Sequence, residues 1–200
     1  MTTFHRNVVL AIIGAFVVVL TVEDILRDDV SATRHWVSHL SLGRWGWISI
    51  AALAVLGAAI ISTAPAVRSV STGRWAHRWV ITTGVGLIAA AFFVSDPPPG
   101  TVYAESVTWH GQLHDVGGGL TFVGLFATAV TTRRLVPGPW GALVAALIAT
   151  AWVAASAMAA VSFTDDGPNL PGGVAERIAL GTGLAWFAVI VTTITRRTQS

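Results

Sequence analysis

The chain has 200 residues, of which 54% are hydrophobic and only 11% are charged. Soluble domains carry roughly 25% charged residues, so a bilayer must solvate most of this surface. The absence of cysteine and lysine excludes disulfides, thiolate metal sites, a cysteine nucleophile and lysine Schiff-base chemistry. The net charge of +2 is too small to indicate nucleic acid as a partner.

Six apolar stretches are each close to the roughly 20 residues that a helix needs to cross the hydrocarbon core. Helices are expected because lipid cannot satisfy exposed backbone groups by hydrogen bonding. We therefore predict an all-α integral membrane bundle of six transmembrane helices, forming one domain over residues 1–200. The predicted spans are 8–22, 45–64, 79–95, 113–132, 140–163 and 176–195.

Charge is distributed unequally between the two ends of these spans. Eight of the twelve arginines, and no acid, lie at the two termini and in the connections 62–78 and 133–139. All ten carboxylates fall on the other side. Because arginine is enriched in cytoplasmic segments, we predict a multi-pass protein of the cell membrane with both termini in the cytoplasm.

Two histidine pairs lie on the predicted outer face. His35 and His39 precede the second span, and His110 and His114 lead into the fourth. Each pair has the i, i+4 spacing that places two rings on one face of a helix. If the segments are helical, the two rings of each pair therefore lie on the same face.

Acidic residues approach the same boundary from other parts of the chain. Asp115 follows the second histidine pair, Asp96 ends the third span, and Glu176 with Arg177 opens the sixth. We expect Glu176 and Arg177 to form an ion-pair element at a helix end, with a functional role as the alternative. Six other outer acids are predicted to be solvated loop charges: Glu23, Asp24, Asp28, Asp29, Asp165 and Asp166.

Three chemical roles fit this cluster. Imidazole and carboxylate groups suit zinc or a similar divalent ion, with His39, His110, His114 and Asp96 as the candidate ligands. General acid and base catalysis needs the same groups without metal. The catalytic candidates are Asp115, Asp96, Ser38, Glu176 and Arg177.

The third role, haem ligation, is disfavoured. A transmembrane haem pair needs histidines on facing helices at matched depth, and His77 is the only histidine near the inner end of a span. The segment His110–His114 also lacks the glutamate of the H-E-x-x-H metalloprotease motif. That protease class is therefore not supported.

Four segments together resemble the DUF998 family of six-span bacterial membrane proteins, whose function is largely undefined. These segments are Arg34-His-Trp-Val-Ser38-His-Leu-Ser-Leu-Gly43-Arg-Trp-Gly46-Trp47, Phe93-Val-Ser-Asp96-Pro97, His110-Gly111-Gln-Leu-His114-Asp115 and Glu176-Arg177. The resemblance implies a six-helix fold and a shared site, but it supplies no reaction. The implied site residues are Ser38, Asp96, His110, His114 and Asp115. An acid often follows the serine in the family pattern, where this chain has His39.

Three classes of function remain open from the sequence. We favour an enzyme of the outer leaflet that acts on a membrane lipid or isoprenoid, as a metal-dependent hydrolase or by acid–base chemistry. The second class is a lipid transporter or flippase; the apolar midplane of the spans argues against ion-coupled transport. The third class is a non-catalytic module, such as an assembly partner, a sensor or an immunity-type protein.

Overall fold

The computed structural model describes residues 1–70, 73–97, 107–162 and 167–199, and within these ranges all regular secondary structure is helical. The α-helices in the described ranges are α1 Thr3–Leu26, α2 Gly46–Ser62, α3 Ala64–Val70, α4 Ala76–Phe92, α5 Trp109–Thr132, α6 Trp140–Ser162 and α7 Gly172–Arg197. Short 3-10 helices, Val37–Ser41 and Arg133–Leu135, lie in two of the connections. The predicted all-α class is confirmed.

Several of these helices have the length and composition of membrane spans. In the described part of the chain five segments qualify: Thr3–Leu26, Gly46–Val70, Trp109–Leu135, Trp140–Ser162 and Gly172–Arg197. Helix α4 is apolar but has only 17 residues, at the lower limit of the roughly 17–25 that can span. The chain is thus a multi-pass helical membrane protein with five candidate spans in its described part, of which Gly46–Val70 consists of α2 and α3 together.

Some helix boundaries differ from the predicted spans, because capping contacts and not hydrophobicity determine where those helices begin or end. Helix α1 begins at Thr3, because the Thr2 hydroxyl accepts a hydrogen bond from the His5 backbone N–H at 3.1 Å. The predicted connection 62–78 contains α3, whose second residue, Pro65, needs no hydrogen-bond acceptor in the first turn. Residue 163, the last of the predicted fifth span, lies outside the described residues, as do Asp165 and Asp166.

Two glycines allow α2 and α4 to cross in direct backbone contact. A Cβ added at Gly57 would lie 2.6 Å from the Gly84 carbonyl oxygen. A Cβ added at Gly84 would lie 2.5 Å from the Gly57 carbonyl oxygen. Real Cβ atoms do not approach so closely, so any larger residue would push the two helices apart. The opposite side of α4 packs extensively along α5, which makes α4 the middle helix of three.

Polar contacts join α1, α2 and α7 at the end of the bundle that carries the predicted outer residues. Arg177 donates two hydrogen bonds to Asp24, at 2.9 Å from Nε and 2.6 Å from Nη2. The hydroxyl of Ser49 donates to the carboxylate of Glu23, which is buried. The prediction that Glu23 and Asp24 are solvated loop charges is therefore wrong, because α1 extends far enough to bring both carboxylates against other helices.

The close crossing of α2 and α4 gives a direct test of the fold. We expect Gly57→Ala to lower the free energy of unfolding by roughly 1–3 kcal/mol, because the added methyl overpacks a backbone contact. The matched control is Gly14→Ala in α1, where a Cβ meets nothing within 4 Å. Thermal unfolding in detergent micelles measures both, and equal midpoints for the two variants would contradict the crossing.

Candidate functional site

A cavity of about 600 Å³ lies at the end of the bundle where the predicted outer residues gather. Its walls come from the 36–39 connection, from the segment after α4 and from α2, α4, α5, α6 and α7. The predicted site residues that line it are Ser38, His39, Asp96, His114, Asp115 and Glu176. Residues far apart in sequence thus share one cavity, as the sequence analysis expected.

The deeper wall of the cavity is apolar. Phe122 of α5 and Trp152 of α6 stack with ring centroids 5.7 Å apart and planes inclined by 14°. Leu53, Leu87 and Leu180 complete this wall from three other helices. The cavity therefore has a polar end near the boundary of the bundle and an apolar end towards its middle.

The ring of His114 is fixed by the end of α4. Its Nδ1 lies 2.8 Å from the Ala90 carbonyl oxygen and 2.7 Å from that of Phe93. A carbonyl only accepts, so Nδ1 must carry the hydrogen, and in the neutral ring Nε2 keeps the lone pair. The side chain is 4% exposed, and it lines the cavity. His114 thus combines a helix-end contact with a basic nitrogen beside the cavity.

His39 has the opposite tautomer. Its Nδ1 accepts a hydrogen bond from the Trp36 backbone N–H at 3.2 Å, so the hydrogen of the neutral ring is on Nε2. Burial lowers the pKa of His39 to about 3, and the positive charges that His35, His114 and Arg177 can carry act in the same direction. The ring is therefore neutral at physiological pH. In their neutral forms, the His39 ring is a donor at Nε2 and the His114 ring is an acceptor at Nε2, and both residues line the same cavity.

Asp96 is held at the start of α5. Its carboxylate accepts from the Thr108 backbone N–H at 2.8 Å and from the Thr108 hydroxyl at 2.6 Å. A negative charge at this position also complements the helix dipole. A Cβ at Gly111 would collide with the same carboxylate, so glycine leaves the room that Asp96 occupies. Asp96 lies in the connection after α4, and it anchors α5 while lining the cavity.

Glu176 and Arg177 lie in α7 but contact different parts of the protein. Glu176 is 5% exposed, lines the cavity and accepts a hydrogen bond from the Val37 backbone N–H at 2.6 Å. Arg177 points away from the cavity to Asp24, and it also donates to the His35 carbonyl oxygen at 2.8 Å. The expected ion-pair element is formed with Asp24, and Arg177 is a structural residue in this arrangement.

His110 does not join the cavity. Its ring is exposed, lies 4.1 Å from the Trp109 ring and has Nδ1 3.1 Å from the Thr108 hydroxyl. The i, i+4 spacing suggested a shared role for His110 and His114. However, one helical turn rises 5.4 Å, and His110 lies beyond the packed part of α5. Asp115, the residue after His114 in α5, is exposed at the rim of the cavity.

The predicted metal ligands are not assembled into a metal centre. Over residues 1–70, 73–97, 107–162 and 167–199, no group of three or more histidines or acids is placed to hold a metal ion. Asp96 is bound to Thr108, and His110 is exposed outside the cavity. His114 has only Nε2 left for a ligand, because its Nδ1 faces carbonyl oxygens. The metal-dependent form of the enzyme hypothesis has no support in this geometry.

Sequence reasoning missed the aromatic residues of the site. Trp36 lines the cavity next to Val37, and Phe122 and Trp152 form its apolar end. The helical spacing of Phe122 from Asp115, seven residues along α5, could have placed both on one face. No comparable spacing links Trp152 to the other residues, because α6 carries no ionisable group.

The fold and the cavity together define a multi-pass helical membrane protein with an amphipathic cavity at one end of the bundle. A family model described as DUF998, a protein family of unknown function, matches residues 10–193. The chain therefore belongs to the DUF998 family. No curated protein and no solved structure matches the chain.

The buried neutral His39 predicts a specific loss of stability in acid. The unfolded chain binds a proton at this residue near the ordinary value of 6.5, whereas the folded chain binds it only near a pKa of about 3. The contribution of neutral His39 to the free energy of unfolding is therefore complete above pH 6.5. It is lost as the pH falls, by about 1.4 kcal/mol per pH unit.

We expect His39→Gln to flatten the decline of the unfolding midpoint between pH 6.5 and pH 4, relative to the unsubstituted protein. The exposed His110→Gln is the control, and it should keep the steep decline. Thermal unfolding in detergent at a series of pH values measures the slopes. Equal slopes for the two variants would show that His39 is not protonated on unfolding.

Proposed function

We propose that this protein is a six-span enzyme of the cell membrane that modifies a lipid or isoprenoid by acid–base chemistry at the outer face. The observation that carries the proposal is the composition of the single cavity described above. His39, His114 and Glu176 line one end, and Phe122 and Trp152 line the other. A substrate with a polar linkage and an apolar chain matches both ends.

The two histidines suggest how the chemistry is divided. Nε2 of His114 is the base, which removes a proton from a water or alcohol that attacks the polar linkage of the lipid. Neutral His39 lines the same end of the cavity and keeps the surface beside the polar linkage uncharged. Glu176 or Asp115 then supplies a proton to the leaving group. No metal ion is part of this proposal.

The role of general base makes His114 the most informative position. We expect His114→Gln to lower lipid conversion about 100- to 10,000-fold, the usual range for loss of a general base. The matched control is His110→Gln, one turn away on the same helix but outside the cavity, which should retain conversion.

Conversion is measured on the purified protein in nanodiscs of mixed phospholipid with an added polyprenyl phosphate, followed by mass spectrometry of the extracted lipids. Thermal midpoints of both variants control for folding, because His114 also contacts the end of α4. Undiminished conversion by His114→Gln would contradict its role as base. A complete lack of conversion by the unsubstituted protein would favour the non-catalytic module.

The sixth span in this proposal is α4. It packs between α2 and α5, which belong to the candidate spans Gly46–Val70 and Trp109–Leu135, and so it runs through the same apolar layer as they do. Six crossings place both termini on one side, and the arginine distribution assigns that side to the cytoplasm.

The absence of cysteine from the sequence makes this topology easy to test. We expect single cysteines introduced as Thr3→Cys and Gln199→Cys to resist a membrane-impermeant maleimide in intact cells, and Asp28→Cys to react. After lysis all three should react, which controls for accessibility. Labelling of only one terminus in intact cells would indicate an odd number of crossings and would contradict the six-span proposal.

A further inference from the structure

One face of α5 forms a continuous part of the cavity wall. Asp115, Gly118, Gly119 and Phe122 follow the i, i+3, i+4, i+7 spacing of a single helix face, and all four line the cavity. The polar group is at the outer end of this face and the aromatic ring is at the inner end. The two glycines between them are half-buried.

Packing against neighbouring helices does not explain these two glycines. A Cβ added at Gly118 or Gly119 would meet nothing within 4 Å. The adjacent Gly117 differs, since its Cβ would lie 2.8 Å from the Ala90 backbone nitrogen of α4. Glycine is an unfavourable residue in a helix interior, so open space next to two consecutive glycines indicates that the space itself is used.

A buried polar group faces the same space and points to a ligand. The ring of His114 lies one turn before Gly118, is 4% exposed and lines the cavity. Its Nδ1 is bound to carbonyls, and the described part of the chain places no hydrogen-bond partner at Nε2. A nitrogen that lacks a partner at the outer end of a glycine-lined wall is what a lipid with a polar linkage would contact.

The facing wall comes from α6. Trp152 and Ser156, one turn apart on this helix, line the cavity and are also half-buried. The stacked rings of Phe122 and Trp152 join the two helices at the inner end of the cavity. Gly118 and Gly119 on α5, like Trp152 and Ser156 on α6, keep part of their surface accessible, and the two helices are neighbours in the bundle.

We propose that the cavity opens sideways into the bilayer between α5 and α6, and that Gly118 and Gly119 form the passage for a linear acyl or prenyl chain. The polar linkage of the lipid lies near Asp115 and His114, and its chain runs along the glycines to Phe122 and Trp152. The proposal shares with the proposed function the idea that the cavity holds a lipid, but it requires no catalysis.

The test uses the full-length protein in nanodiscs that contain a phospholipid with a photoreactive diazirine in its acyl chain. The main variant is Gly119→Leu, which fills the passage. The matched control is Gly181→Leu in α7, because a Cβ at this exposed glycine also meets nothing within 4 Å and the residue does not line the cavity. Peptide mapping by mass spectrometry locates the crosslinks.

We expect crosslinks to cavity-facing residues of α5 and α6 in the unsubstituted protein and in Gly181→Leu, and their loss to background in Gly119→Leu. The milder Gly119→Ala should raise the unfolding midpoint, because alanine favours helix, and yet reduce the crosslinks. Unchanged crosslinks in Gly119→Leu, or labelling spread evenly over outward-facing residues of all helices, would overturn the proposal.

The outcome is separable from that of the proposed function. Crosslinks that depend on Gly119, in a protein that converts no lipid, would support the passage and reject the enzyme. Lipid conversion that persists in Gly119→Leu would reject the passage and keep the enzyme.

Discussion

One constraint governs the end of the bundle that holds the cavity. Backbone groups left unpaired by helix ends and connections need hydrogen-bond partners where little water is present. A buried backbone group without a partner costs roughly 1–3 kcal/mol. Side chains supply those partners: Glu176 accepts from the Val37 N–H, and His114 donates to the Ala90 carbonyl. The same contacts hold these ionisable side chains beside one cavity, so the architecture of the helix ends also builds the candidate site.

Much of the fold follows from the sequence because membrane insertion imposes a strong pattern. The apolar stretches identified the long helices, and the histidines and acids predicted near their ends include three residues that line the cavity, His39, His114 and Glu176. The pattern is informative because a charged or polar residue at the end of an apolar stretch must lie at the membrane boundary or be buried against other helices. The family resemblance was confirmed by the match over residues 10–193.

Other features depend on packing that the sequence pattern does not encode. The i, i+4 spacing of His110 and His114 holds in α5, but the bundle ends between them, so one ring is buried and the other exposed. Glu176 and Arg177 were expected to form an ion-pair element at a helix end, whereas the longer α1 brings Asp24 to Arg177. The metal hypothesis relied on residue types, but in the described part of the chain fewer than three of these side chains converge on one point.

The shortness of α4 has a consequence for where a lipid would meet the site. Its 17 residues rise about 26 Å, some 4 Å less than the roughly 30 Å thickness of a typical hydrocarbon core. A short span thins the bilayer around it or draws its flanking residues inward. Phe93 to Asp96, directly after α4, would then lie at the depth of the ester linkages of the outer leaflet rather than among its headgroups. The local bilayer, as much as the protein, would set which bond of a lipid comes within reach of His114.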